Sequence, residues 1–403
     1  MAPTTLRDAV YIDGVRVPIG RARPDGYYAG TRADDMAVRV IRSLLERNPG
    51  VDPARIDDNV WAATAQVGDQ GLTMGRSSAV LAGLPKSVPG YAVDRMCAGA
   101  LTSITNAANA IRVGAQDVVV AGGVEHMGNH PMGEDIDPNP RFVSEGLVDP
   151  SALVMGTTAE NLHDELPEVT RERCDAYALQ SQERTAKAQA DGVFDDHVVP
   201  MTVWQPADGA GGGWRVVRTD EHPRPGTTIE DLAGLSTPFR PGGRVTAGNA
   251  AGLNDGAGAA LLTSAEAADE FGLTPRMRVV DYAFVGVEPE TMGYGPVPAT
   301  EKLLARTGMS IDDIDIIEMN EAFAVQSVAF LDHFGLPLDT EKVNPYGGAI
   351  ALGHPLAMSG ARLAMQLAHA LHATPGARYG LTTLCVGLGM GAAVLWERTG
   401  GEA

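Results

Sequence analysis

Lysine is scarce in this 403-residue chain. Only Lys86, Lys187, Lys302 and Lys342 stand among its 31 basic residues, against 51 acidic ones. The net charge of −20 is spread along the chain, with no acidic block long enough to form a tail. Such a surface favours solubility and argues against nucleic acid or an anionic membrane as the main partner. Cysteine is nearly missing too. Cys97, Cys174 and Cys385 make no plausible disulfide framework, and no C-x-x-C pair offers a structural metal site. No apolar run reaches bilayer-spanning length. The opening MAPTTLRDAVYIDG lacks the basic-then-apolar order of a secretory signal. The expectation is a cytoplasmic protein with reduced thiols and no bound metal.

Glycine, by contrast, is abundant at 48 residues, and the apolar fraction is an ordinary 44%. This length supports two or three domains with substantial cores, and the glycines announce tight turns and close backbone approaches.

Short β-branched runs alternate with longer helical patterns, which indicates an α/β protein. DAVYIDGVRVP reads as a strand. ADDMAVRVIRSLLER follows as an amphipathic helix with Met36, Val40 and Leu44 on one face. NVWAATAQ is a strand, AGALTSITNAANAIRVG a helix stopped at Gly114, and DVVVAGGVEHM a buried strand. From about 129 to 245 Pro, Gly and Asp become frequent, with two helices (TTAENLHDEL and RERCDAYALQSQERTAKAQ) and a flexible turn, ADGAGGGW. This reads as a loop domain inserted between two regular halves. The assigned limits are 1–119 for the first half, completed by 246–272, then 120–245 for the loop domain and 273–403 for the second half.

The second half repeats the first in pattern. RIDDNVWAATAQ (55–66) lines up with DIDIIEMNEAFA (313–324), and VDRMCAGALTSITNAANAI (93–111) with VNPYGGAIALGHPLAMSGARLAMQLAHAL (343–371). DVVVAGGVEHM answers YGLTTLCVGLGMGAAVL. An internal duplication follows, and halves of this kind pack sheet beside sheet, with helices between and outside. Cys97 and His354 then occupy equivalent strand-to-helix turns that face one cleft.

A cysteine in a first helical turn is favoured as thiolate by the dipole and free N–H groups, and a histidine in reach would lower its pKa further. A free Cys is equally often a small buried hydrophobe, and position alone leaves both readings open for Cys97. His354 is either a turn residue or a base in GGAIALGHP, which holds more glycine than a plain turn needs. Cys385 ends a strand, and Gly387, Gly389 and Gly391 after it expose N–H groups of the kind an oxyanion needs. Asn320 in EMNEAFA is either an N-cap or a site residue. Cys174 reads as packing. His126, His130, His163, His197 and His222 have no metal-like spacing and are assigned to the surface.

DRMCAGA, NEAFA, GGAIALGHP and CVGLGMG, in this order, resemble the thiolase family, the acetyl-CoA acyltransferases. VTAGNAAGLNDGAGA, MGYGPVPA and AGGVEHM extend the resemblance over nearly the whole chain. It implies a thiolase fold, two duplicated α/β halves in a layered αβαβα core with an inserted loop domain. It also implies roles. Cys97 matches the nucleophile that carries the acyl group, His354 its base, and Cys385 the thiol that moves the α-proton. Asn320 matches the holder of a water that, with His354, stabilises the enolate oxygen. The N–H groups of Cys97 and Gly387 match a second oxyanion hole. Arg224, Ala251, Gly252, Met155, Ala322 and Phe323 match contacts to coenzyme A, a co-substrate rather than a bound cofactor.

The chain departs from the family's pattern at Ala251 and Asp231, where serine is usual, at Val154, where some members have histidine, and at Ala357, where glycine is usual. None removes a catalytic group. MGYGPVP and the absent histidine lean toward the degradative 3-ketoacyl-CoA type, working beside β-oxidation enzymes as a homodimer or dimer of dimers. The alternatives are a biosynthetic acetoacetyl-CoA thiolase, a ketosynthase-type condensing enzyme and a non-catalytic acyl-CoA-binding relative. On so acidic a chain, Arg215, Arg218 and Arg224 are expected to gather as the local cations for CoA.

Overall fold

The computed structural model describes residues 6–134, 136–206 and 212–400. In chain order the strands are β1 (Ala9–Arg16), β2 (Gly20–Arg21), β3 (Asp58–Ala62), β4 (Gly90–Val93), β5 (Val118–His126) and β6 (Met201–Pro206). They continue with β7 (Gly212–Val217), β8 (Asn254–Ser264), β9 (Met277–Gly286), β10 (Ile316–Met319), β11 (Tyr379–Val386) and β12 (Met390–Arg398). β6 and β7 pair with each other, and the rest form one ten-stranded sheet whose main path runs β10-β11-β12-β9-β1-β8-β5-β3-β4.

The duplication is visible in this order. In the first half β3 pairs parallel with β4 and β5, β5 antiparallel with β8, and β8 antiparallel with β1. In the second, β10 pairs parallel with β11, β11 antiparallel with β12, and β12 antiparallel with β9. A parallel bridge from Ile317 to Val343 takes the place of β4. The halves join through two residue pairs, Val10 with Arg278 and Tyr11 with Met277.

Side-chain alternation explains why these strands are apolar at every position. Val118, Val120 and Val124 of β5 pack on one face, among Met36, Val40 and Leu44 of the helix Ala33–Arg47. Val119 and Ala121 pack on the other, among Leu101 and Ile104 of Gly99–Arg112 and Leu363 and Leu367 of Ser359–Ala373. A strand covered by helices on both sides keeps no polar face. The same central helices meet Leu384, Val386, Val394 and Trp396 of the second half, whose far face packs against Leu303, Val328 and Phe330. The result is the expected five-layer αβαβα order, with the two equivalent helices as the shared middle layer.

Two glycines set that middle layer. A Cβ on Gly360 would lie 2.7 Å from the Leu101 nitrogen, and one on Gly123 would lie 2.2 Å from the Ala357 carbonyl oxygen. Only a missing side chain lets the helices cross there and lets the His354 turn rest on β5.

β5 stays in register with β8 as far as His126, so the chain leaves the sheet after that residue and not at 119–120. Between β5 and β8 lie the helices Met155–Glu165 and Arg171–Ala190 and the β6–β7 hairpin. Most of ADGAGGGW, at 207–211, lies outside the described residues. The surface assignment of the histidines is corrected in three cases. His126, His163 and His197 are buried, because each lies where the loop segment folds back onto the sheet or onto its own helix. His126, for instance, contacts the Tyr28 and Thr31 carbonyls and Asp255. Among the described residues no helix is long and apolar enough to cross a membrane.

Candidate active site

Cys97 lies in the single 3₁₀ turn Met96–Ala98 that runs directly into the helix Gly99–Arg112. The turn is strained. Met96 holds φ at +44° with its N–H on Asp94 Oδ1 at 2.7 Å, a conformation costing of order 1 kcal/mol that tends to mark functional positions. The N–H groups of Gly387 and of Cys97 itself lie close enough to the Cys97 sulfur to favour its thiolate.

The thiol is nevertheless not poised as thiolate. Burial pushes it up to about 12, and Glu125 adds to the rise, against the lowering from these N–H groups. This corrects the expectation of a depressed pKa. Desolvation of a buried anion outweighs a helix N-terminus, and among the described residues no hydrogen bond joins Cys97 to His354.

The imidazole of His354 is held at both nitrogens. Nε2 lies 3.2 Å from Asn320 Nδ2 and Nδ1 lies 2.6 Å from Ser359 Oγ, which itself bonds the Pro355 carbonyl at 2.9 Å. The network fixes the tautomer. Arg362 can only donate, and its Nη2 meets Asn320 Oδ1 at 3.1 Å, so the Asn320 amide turns its Nδ2 to the histidine. Nε2 must then be the acceptor, and Nδ1 carries the proton and donates to Ser359. Burial, with Arg362 adding, lowers the imidazole pKa to about 3. His354 is therefore a neutral base with a lone pair at Nε2. Its backbone N–H donates to Asn254 Oδ1 at 3.0 Å, which anchors the turn to β8.

Cys385 ends β11, is fully buried, and donates from Sγ to Gln326 Oε1 at 3.0 Å. Burial raises this thiol strongly, and the nearby Cys97 raises it further. Gln326 Nε2 in turn donates to the Asn320 carbonyl at 2.9 Å. Asn320 is not an N-cap, since that position of the helix Ala324–His333 is held by Phe323. It hangs from the end of β10 with its N–H on the Thr383 carbonyl. Of the three glycines after Cys385, only Gly387 aims its N–H at the site. Gly391 pairs across the β11–β12 hairpin, and Gly389 turns its carbonyl to Val287.

Cys97, His354, Asn320, Cys385 and Gly387 thus converge at one seam between the halves. Met155 belongs to the same seam, with its sulfur 3.7 Å from where a Gly387 Cβ would be. Ala251 donates to the Ala322 carbonyl at 2.9 Å, and Ala250 bridges Phe323, so three of the residues matched to CoA contacts form one short ladder. Gly252 sits against the His222 ring. The arginines that act on His222 are Arg21, Arg23 and Arg224, whereas Arg215 stacks on Tyr27. Asp231 closes a capping box with Thr228, Val154 starts the helix bearing Met155, and Ala357 donates its N–H to Glu125.

Sequence reasoning missed Ser359, Gln326 and Arg362. Arg362 and Gln366, four apart on the buried face of SGARLAMQLAHAL, were the available signal, since a cation on an apolar stripe needs a reason.

Two family models match the chain: "Thiolase, N-terminal domain" over residues 9–266 and "Thiolase, C-terminal domain" over 273–398. A β-ketoadipyl-CoA thiolase of Escherichia coli is 46% identical, aligning over 98% of this chain and 100% of its own. A 3-ketoacyl-CoA thiolase of Aliivibrio fischeri is 43% identical over the same shares. Among solved structures, an acetyl-CoA acetyltransferase of Bacillus anthracis (38% identity) and human mitochondrial 3-ketoacyl-CoA thiolase (35%) each superpose with a TM-score of 0.86. Both alignments cover 98% of this chain and 100% of the other.

Proposed function

This chain belongs to the thiolase family of acyltransferases, and from that premise we propose that it cleaves 3-oxoacyl-CoA with coenzyme A, giving acetyl-CoA and a shortened acyl-CoA. The Cys97 sulfur attacks the C3 ketone while its proton passes to His354 Nε2. The C2–C3 bond breaks, its electron pair moves onto the acetyl-CoA enolate, and Cys385 protonates C2. The acyl group stays on Cys97 as a thioester. The CoA thiol then gives its proton to the Cys385 thiolate and attacks that thioester, and the departing Cys97 sulfur recovers the proton held by His354.

One observation carries the reading. A neutral imidazole with its lone pair at Nε2, two buried thiols and the Gly387 N–H sit at one seam. The thiols need no standing charge, because each proton has a named acceptor in the cycle. The enolate oxygen is assigned to Asn320 and His354, through a bridging water, and the tetrahedral oxyanion to the Cys97 and Gly387 N–H groups. One such donor is worth roughly 10²–10³ in rate. The loop segment after β5, 127–245, is assigned, with Arg224, Ala251, Gly252, Met155, Ala322 and Phe323, to holding CoA. The degradative direction is supported by full-length relatives named for 3-ketoacyl-CoA and β-ketoadipyl-CoA. Two acetyl-CoA condensing to acetoacetyl-CoA is the alternative, supported by the acetyl-CoA acetyltransferase likeness.

The test is thiolysis of 3-oxoacyl-CoA substrates from C4 to C16, with 3-oxoadipyl-CoA in the panel, and intact-mass detection of acyl-enzyme. Acylation seen with the native chain and lost in Cys97→Ala, with turnover beyond C4, is the expected result. Turnover confined to acetoacetyl-CoA selects the condensing alternative, and no adduct at any length overturns the reading.

A further inference from the structure

Arg362 is fully buried in the middle layer, on the helix Ser359–Ala373. Among the described residues its guanidinium forms no salt bridge. Nη1 donates to Gln366 Oε1 at 2.6 Å and Nη2 to Asn320 Oδ1 at 3.1 Å. The acidic groups that act on it are Glu318 and Glu321 and, more weakly, Asp220. Glu318 is a strand residue with no hydrogen-bond partner for either carboxyl oxygen among the described residues. Glu321 is spent on Tyr177, Ser181, Asn344 and the Ile350 N–H. Burying a cation this way costs several kcal/mol, and a leucine would serve an alanine- and leucine-rich helix better as packing.

We propose that Arg362 is a positioning residue for the enolate step: it fixes the Asn320 amide so that Nδ2 faces the water that bridges to the oxyanion, and strengthens that amide as a donor. The proposal rests on the assignment of the enolate oxygen to Asn320 and His354. An asparagine amide is nearly symmetric in shape, and a flip would put its carbonyl oxygen on the bridging water, which would then spend a proton on Oδ1 and be a poorer donor to the enolate. A donor-only guanidinium on Oδ1 forbids the flip. The same bond draws electron density through the amide toward Oδ1, so the Nδ2 protons become better donors, the usual cooperativity of chained hydrogen bonds. Arg362 itself touches no substrate; its route to the reaction is Asn320.

The test separates the two half-reactions. Exchange of the acetyl-CoA α-protons in D₂O reads the enolate step, and intact-mass acylation of Cys97 reads the other. Arg362→Gln is expected to slow exchange on the order of 10²-fold while acylation stays within about threefold. Arg362→Lys, which keeps charge and donors, should recover part of the loss. In an Asn320→Ala background Arg362→Gln should cost little more, since the two act as one unit. Equal falls in exchange and acylation, or losses that multiply in the double variant, overturn the proposal. Should Arg362→Gln not fold, Arg362→Lys decides alone: a fall confined to exchange supports the proposal, and an equal fall in both half-reactions overturns it. If Asn320→Ala itself leaves exchange unchanged, it is the functional reading of Asn320 that fails.

Discussion

Replacing His354 by glutamine should flatten the acid side of the stability profile. The native imidazole is buried and held at about 3, mainly by desolvation and then by Arg362, against 6.5 for the free group. Between those values the unfolded chain binds a proton that the folded chain refuses. Stability is therefore fully present above pH 6.5 and drains as the pH falls toward 3. Each pH unit is worth about 1.4 kcal/mol, so on the order of 2–3 kcal/mol is lost to this one group by pH 4.5. Glutamine keeps an amide that can bond Ser359 and Asn320 but has nothing to titrate. Urea unfolding at pH 7.5, 6.5, 5.5 and 4.5 gives the two profiles. His222, lowered to about 4, and His197, lowered well below its usual value, act alike in both proteins, and their contributions cancel in the difference. The native chain should lose more than the variant in every interval below 6.5. Parallel profiles would refute the argument, because they would mean the imidazole is free to protonate in the folded state.

Asp220→Ala should destabilise by about 3–5 kcal/mol, since Asp220 meets both Arg16 terminal nitrogens at 2.6 and 2.8 Å in a buried pair and its loss strands the guanidinium; chemical denaturation reads it, and a loss below about 1 kcal/mol contradicts the reasoning. Gln326→Ala, which frees the Cys385 thiol, should slow α-proton exchange by about tenfold, below the 10²–10⁴-fold of losing an acid–base group outright because Cys385 itself remains. Cys97 acylation should hold steady in that variant, and a matching fall there would count against a role through Cys385.

Much of this protein was legible in the chain. The strands around 58–62, 118–126 and 379–386 announced themselves as apolar runs bounded by turns, and the helix Ala33–Arg47 by its 3.6-residue stripe. The repeated order strand, glycine turn, helix predicted that Cys97 and His354 would meet, and the middle layer brings the two turns together. The histidines read less well. His126 and His197 carry no local sign of burial, because the segments that cover them come from elsewhere in the chain. The thiol chemistry read least well of all. A helix N-terminus is visible in sequence and predicts a low pKa, but burial is a property of everything packed around the sulfur, and here it dominates.

By itself, then, the order of residues determined the elements, their duplication and which side chains the proposed reaction assigns as reactive groups. These depend on periodicity, on glycine's freedom and on side-chain type, all of which act over a few neighbours. Only the tertiary structure decided which proton sits on which nitrogen of His354, which of three glycines points its N–H at Cys97, and that Arg362 reaches Asn320 from a helix 42 positions away. Those are matters of distance and desolvation among residues remote in sequence, and no local pattern encodes them.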